Sequence, residues 1–171
     1  MYLAARGGHI EVMKFLLEKH IDPLTLLMDP RIMNEAAGGG HIEVMKWLKA
    51  RAGPSVQLIP EMCYQAAWNG RVDMLDWLKS EGCSLTTGDS LLTSAATGGQ
   101  LATLKWLREQ QGAPFDNLTA DNAVYRGHWE VLKWLIEKGC LWGMFGFHYA
   151  VSKGWDLEKL RWMKEKGCRL H

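Results

Sequence analysis

The sequence has almost no charge surplus: 20 Lys and Arg stand against 19 Asp and Glu, a net +1. It therefore lacks the basic stripe or balance of a nucleic-acid binder. Long apolar runs are also missing. The longest, such as Leu24–Leu27 and Ile10–Leu17, are short or broken by charge, below the roughly 18 apolar residues that a membrane span needs. The opening Met1-Tyr2-Leu3-Ala4-Ala5-Arg6-Gly7-Gly8 has neither the basic start nor the apolar stretch of a secretory signal. No His-Glu-x-x-His or Cys-x-x-Cys spacing is present to hold a metal. Gly38-Gly39-Gly40 has no lysine where a phosphate-binding loop needs one. No serine, cysteine or carboxylate has an independently placed catalytic partner, so neither an enzyme nor a cofactor is expected. Cysteine is scarce, with Cys63, Cys83, Cys140 and Cys168 alone.

Alanine pairs, glycine and tryptophan are what the chain does have, and they recur. Ala4-Ala5-Arg6-Gly7-Gly8-His9-Ile10-Glu11-Val12-Met13-Lys14-Phe15-Leu16 is nearly repeated by Ala36-Ala37-Gly38-Gly39-Gly40-His41-Ile42-Glu43-Val44-Met45-Lys46-Trp47-Leu48. Further copies start at Ala66-Ala67, Ala95-Ala96, Ala123 and Ala150. The aromatic slot (Phe15, Trp47, Trp77, Trp106, Trp134, Trp162) steps by 32, 30, 29, 28 and 28 residues. A glycine slot (Gly8, Gly40, Gly70, Gly99, Gly127, Gly154) keeps nearly the same step.

Each unit predicts two helices. The glycine separates a short first helix, ending in small alanines, from a second helix with apolar residues three or four apart. Glu43 and Lys46 sit on its polar side for i,i+3 pairing. Gly82-Cys83, Gly112-Ala113, Gly139-Cys140 and Gly167-Cys168 follow the second helix; the glycine suits a left-handed cap and the small residue should tuck beneath. One helix pair cannot bury its own apolar face, so the pairs must stack. The slot's tryptophans, Trp106 among them, are expected in the core. Lys159 replaces the Val12/Val44/Met74/Val131 slot in copy six, which reads as the outer face of a terminal repeat. Three of the cysteines share one slot. Equivalent slots in stacked layers lie about 8–10 Å apart, beyond the roughly 7 Å Cα limit for a bridge. The thiols are expected reduced, buried and structural, in an intracellular protein of cytoplasm or nucleus. Asn117-Leu118-Thr119 matches a glycosylation acceptor that such a protein would not use.

These residues resemble the ankyrin repeat, whose pattern runs Thr-Pro-Leu-His-x-Ala-Ala-x-x-Gly-His-x-Glu-Val-x-x-x-Leu and then Gly-Ala. Ala36-Ala37, Gly40-His41, Glu43-Val44 and Leu48 match, as do Ala4-Ala5, Gly8-His9, Glu11-Val12 and Leu16. The Thr-Pro-Leu-His segment is missing; Arg31-Ile32-Met33-Asn34 and Leu118-Thr119-Ala120-Asp121 take its place, and only His148 keeps the histidine. The Lys-Trp-Leu and Gly-Cys signature looks like the tryptophan-rich short-repeat variant found in large DNA viruses and protists. The resemblance implies an all-α, ankyrin-type helix-turn-helix solenoid of about six stacked repeats. It would form one array over 1–171, with repeats near 1–29, 30–59, 60–88, 89–116, 117–143 and 144–171. The short period implies that the projecting β-hairpin fingers are short or absent.

It also implies function. In ankyrin arrays the two residues between Ala-Ala and Gly usually make the contacts on a concave face. By position they are Arg6-Gly7, Gly38-Gly39, Trp68-Asn69, Thr97-Gly98, Tyr125-Arg126 and Ser152-Lys153. They vary while the scaffold stays constant. Trp68, Asn69, Thr97, Tyr125, Arg126, Ser152 and Lys153 are the expected partner-binding residues of a monomeric, non-enzymatic protein-interaction module. Trp68 and Tyr125 are expected as two anchors on one edge, with Thr97-Gly98 as a shallow gap between them. The alternative is a substrate-recruiting adaptor or pathogen effector that links a target to a ubiquitin ligase. His9, His41 and His128 share a slot with Arg71, Gln100 and Asp156, so no imidazole is required there, and a backbone-binding role is expected.

Overall fold

The computed structural model describes residues 1–19, 25, 27, 29–53, 57–85, 90–116 and 118–169. They form two compact units, Met1–Thr87 and Gly88–His171. The first holds α1 (Tyr2–Arg6), α2 (Ile10–Glu18), α3 (Pro30–Gly39), α4 (Ile42–Ala52), α5 (Pro60–Trp68) and α6 (Val72–Ser80). The second holds α7 (Ser90–Thr97), α8 (Leu101–Lys105, continued by a π-helical turn Trp106–Gln110), α9 (Thr119–Arg126), α10 (Trp129–Glu137), α11 (Gly146–Ser152) and α12 (Leu157–Glu165). Each unit thus contains three of the six sequence copies, each copy a helix pair. No strand forms among the described residues. Residues 138–145 form turns and bends without a strand or hairpin. Residues 20–24, 54–56 and 86–89, where other hairpin fingers would fall, lie outside the described residues, as does Asn117.

Local chemistry starts the helices. Pro30 and Pro60 open α3 and α5, where a missing N–H costs nothing. Asp29 caps α3, accepting the Arg31 N–H at 3.0 Å. The same carboxylate binds the Arg31 guanidinium at 2.8 Å and the Tyr2 hydroxyl of α1. The guanidinium above all holds the Asp29 carboxyl well below the usual carboxylate range.

Small residues set the packing. Ala5, Ala36, Ala37, Ala66, Ala67, Ala95, Ala96, Ala123 and Ala150 are fully buried. They let α1 lie on α3 and α3 on α5 in the first unit, and α7 on α9 and α9 on α11 in the second. Within each pair the second helix closes over the first, and its Met or Leu residues fill the core: Met13, Met45, Leu48, Leu75, Leu78, Leu104, Leu107, Leu132, Leu135 and Met163. The i,i+3 pairs form where the sequence put them, including Lys46–Glu43 at 2.9 Å and Lys133–Glu130 at 2.8 Å.

The second helices end alike. Gly82 takes φ +92, and the Cys83 N–H returns to the Leu78 carbonyl at 2.9 Å, a Schellman closure. Cys140 returns to Leu135 and Cys168 to Met163 in the same way. In copy four, one residue more separates Leu107 from Gly112 than separates the equivalent pair in copies three, five and six; Leu48–Gly53 of copy two shares the longer spacing. The closing bond survives, from Ala113 to Leu107 at 3.1 Å, and the extra residue is absorbed as the π-helical turn.

Two expectations are corrected. The tryptophan slot is not the core: Trp47, Trp77, Trp106 and Trp162 are half-buried, Phe15 is 57% exposed, and Trp134 alone is buried. One residue is about 100° of helix rotation, so the slot next to Leu48 or Leu107 lies on the flank. Trp162 instead packs edge-to-face on Trp129 of the preceding copy, centroids 4.8 Å apart. Lys159 is not on an outer face either. It is half-buried, paired with Asp156 at 2.6 Å and 6.0 Å from the Trp129 ring. Its slot faces copy five, which is why Val12 of copy one is the exposed member, at 48%.

Candidate partner-binding surface

A glycine and a ring from the following copy hold the ends of the first helices. Gly99 has φ +75, and a Cβ there would lie 2.7 Å from the His128 ring. That ring sits at the start of α10 and pairs with the Thr97 carbonyl through Nε2 at 3.0 Å. Gly8 stands in the same relation to His41, a Cβ falling 2.6 Å from Nδ1. In copy three Arg71 replaces histidine, and its Nε donates to the Gly38 carbonyl at 3.2 Å. Each bond satisfies a carbonyl that a helix end leaves open. The residues just before the glycine are thereby fixed in place.

In the first unit the resulting surface is polar. Arg6 pairs with Glu35 of the next copy at 3.0 Å. Trp68, at the end of α5, is 39% exposed. Asn69 is half-buried, and its Nδ2 donates to the Gln65 carbonyl at 2.8 Å.

In the second unit the surface is aromatic and cationic. Tyr125 is 44% exposed and meets Tyr149 edge-to-face at 5.2 Å. Phe145, 49% exposed, lies 5.9 Å from Tyr149. Lys153 places its ammonium 4.2 Å from the centre of the Tyr125 ring, and the Arg126 guanidinium is 5.9 Å from it. A cleft of about 200 Å³ opens between Leu118, Asp121, Asn122, Tyr125, Phe145 and Tyr149. Asp121 forms its base: it is buried, and its Oδ2 accepts the Phe145 N–H at 2.9 Å. Burial pushes this carboxyl above the usual carboxylate range, and the N–H groups of Phe145 and Gly146 offset part of the rise. Among the described residues no His, Cys, Asp and Glu side chains gather as a metal site requires.

Residues 1–26 match the family model of the ankyrin repeat, and residues 92–136 match a second model describing ankyrin repeats in many copies. The ankyrin repeat domain of human ASB11, solved by crystallography, superposes with a TM-score of 0.67. That match covers 99% of this chain and 84% of that one at 17% identity. The matched segments are ankyrin repeats, and the chain as a whole has the ankyrin-repeat fold. No curated protein sequence matches it. Ankyrin repeats are generally protein–protein interaction modules and typically non-enzymatic scaffolds. No described helix is long and apolar enough to cross a membrane.

Within the ankyrin repeats the expected contact residues lie as follows. Trp68, Tyr125, Arg126, Ser152 and Lys153 are exposed at first-helix ends. The Ser152 hydroxyl is turned back to the Tyr149 carbonyl at 2.9 Å. Thr97 is buried, and its hydroxyl donates to the Thr93 carbonyl at 2.6 Å, so it presents little to a partner. The structure brings Tyr125, Arg126 and Lys153 together on one patch. It adds Tyr149, Phe145 and Leu118, which sequence reasoning missed. The signal was present: the residue just before the first alanine also varies (Leu3, Glu35, Gln65, Ser94, Asn122, Tyr149). It touches the variable pair of the preceding repeat, as Glu35 touches Arg6 and Tyr149 touches Tyr125.

Proposed function

We propose that the chain binds a partner protein through its first-helix ends, the side that an ankyrin array presents as its concave face. The grouping of Tyr125, Tyr149 and Phe145 around a cleft, with Arg126 and Lys153 beside it, carries the proposal. Exposed aromatic groups concentrated on one patch mark an interaction surface more often than a solvated one, and aromatic and arginine side chains dominate interface energetics. The two cations favour a partner that carries carboxylates. Trp68 and Asn69 supply a further contact from the first unit, with Thr97-Gly98 and Ser152 as small positions. The chain acts as a monomeric binding module with no catalytic step. A photo-crosslinking amino acid placed at Tyr149 should yield a discrete adduct with a protein from a cell lysate. The same group at Lys133, on the second helix of copy five, should yield none. Adducts at Lys133 alone, or at neither position, would overturn the proposal.

A further inference from the structure

Slot spacing separates Cys83, Cys140 and Cys168, but it says nothing of Cys63, which lies on α5 inside the same repeat as Cys83. The chain turns at Gly82 beneath that helix, and the closing bond from the Cys83 N–H to Leu78 fixes the turn. The two sulfurs come to 3.1 Å, both in buried side chains. A disulfide needs an S–S distance of about 2 Å, so the gap to close is small. Among the described residues Cys140 and Cys168 have no such neighbour. Their sulfurs face the Leu141 and Arg169 carbonyls at 3.6 and 4.0 Å. Access is also unequal. A cleft of about 320 Å³ lined by Lys49, Gln57, Leu58, Glu81, Gly82 and Cys83 opens beside the pair. Cys83 borders it, while Cys63 is 1% exposed.

We propose that Cys63 and Cys83 form an oxidative modification site, joined as a reversible disulfide within the third repeat when a peroxide enters the cleft. The Cys83 thiolate attacks one oxygen of hydrogen peroxide. An S–O bond forms, the O–O bond breaks, and hydroxide leaves to take up the thiol proton as water. The Cys63 thiolate then attacks the Cys83 sulfenic sulfur. The S–S bond forms, the S–O bond breaks, and a second water leaves with the Cys63 proton. Two thiols are oxidised and one peroxide is reduced to two waters. Thiolate is the attacking species, and burial and the neighbouring Cys83 push the Cys63 thiol far up. The closing step, attack by Cys63, should therefore quicken as pH rises.

The test uses the folded wild-type chain treated with excess hydrogen peroxide, unfolded in guanidinium, alkylated and mapped after trypsin. Arg71 and Lys79 lie between the two cysteines, so a linked pair of peptides is diagnostic. Two of the four cysteines should escape alkylation. The intact mass should fall by two hydrogens, and dithiothreitol should restore all four thiols. The Cys63→Ser variant should give no link and leave a Cys83 sulfenic acid that dimedone traps. Retention of four thiols by oxidised wild type would overturn the proposal. So would a link through Cys140 or Cys168, or conversion of Cys83 to sulfinic acid without a link. These readings on wild type stand whether or not the variant folds.

Discussion

Replacing Gly99 with alanine probes the junction that positions the binding residues. Two costs add. Gly99 has φ +75, where a Cβ costs about 1–2 kcal/mol. The new methyl would also lie 2.7 Å from the His128 ring, so the ring must move and its 3.0 Å bond to the Thr97 carbonyl is lost, a further ~0.5–1.5 kcal/mol. The sum is about 1.5–3.5 kcal/mol. Gly127 isolates the first cost: its φ is +80, and nothing lies within 4 Å of a Cβ there, so Gly127→Ala should cost only about 1–2 kcal/mol. Urea unfolding of each variant, with and without His128→Ala, measures both. In the His128→Ala background the cost of Gly99→Ala should fall to that of Gly127→Ala. Equal costs for the two glycines in the wild-type background would refute the steric argument.

Other expected outcomes follow from the same geometry. Deleting Gln110 removes the residue that the π-helical turn of copy four accommodates, so stability should stay within about 1 kcal/mol of wild type by urea unfolding. Deleting Ser80 from α6, which has no extra residue, should be markedly destabilising in the same assay. Leu107→Ala, at a fully buried position, should cost about 2–5 kcal/mol and exceed the cost of the half-buried Trp106→Ala. Asp121→Asn tests the carboxyl whose folded-state pKa is raised. Such a group stabilises fully below its unfolded pKa, and the benefit is lost as pH rises through the folded value. The variant should therefore gain on wild type in thermal melts between acid and neutral pH, and a constant difference would contradict the assignment.

Much of the fold was legible because it repeats. The alanine pairs, the glycine caps and the i,i+3 ion pairs each rest on local geometry that recurs from copy to copy. The tryptophan slot was misread because recurrence was equated with burial; recurrence shows only that neighbouring copies meet there, as Trp162 meets Trp129. The π-helical turn was not legible, because Leu48–Gly53 has the same spacing as Leu107–Gly112 and that helix stays α through Ala52. The Cys63–Cys83 contact was not, because it depends on how a turn folds back under the first helix of its own repeat. Tyr125, Arg126 and Lys153 were picked from variable slots, but their grouping with Tyr149 and Phe145 needed two successive first helices in register.

Calorimetry with the crosslinked partner, once identified and purified, tests the functional account most directly. Tyr125→Ala/Lys153→Ala should bind it roughly 10- to 100-fold more weakly than wild type, about 1–3 kcal/mol, with an unchanged unfolding midpoint, while Lys133→Ala binds as wild type does. Undiminished affinity from a folded double variant would place the function elsewhere on the molecule.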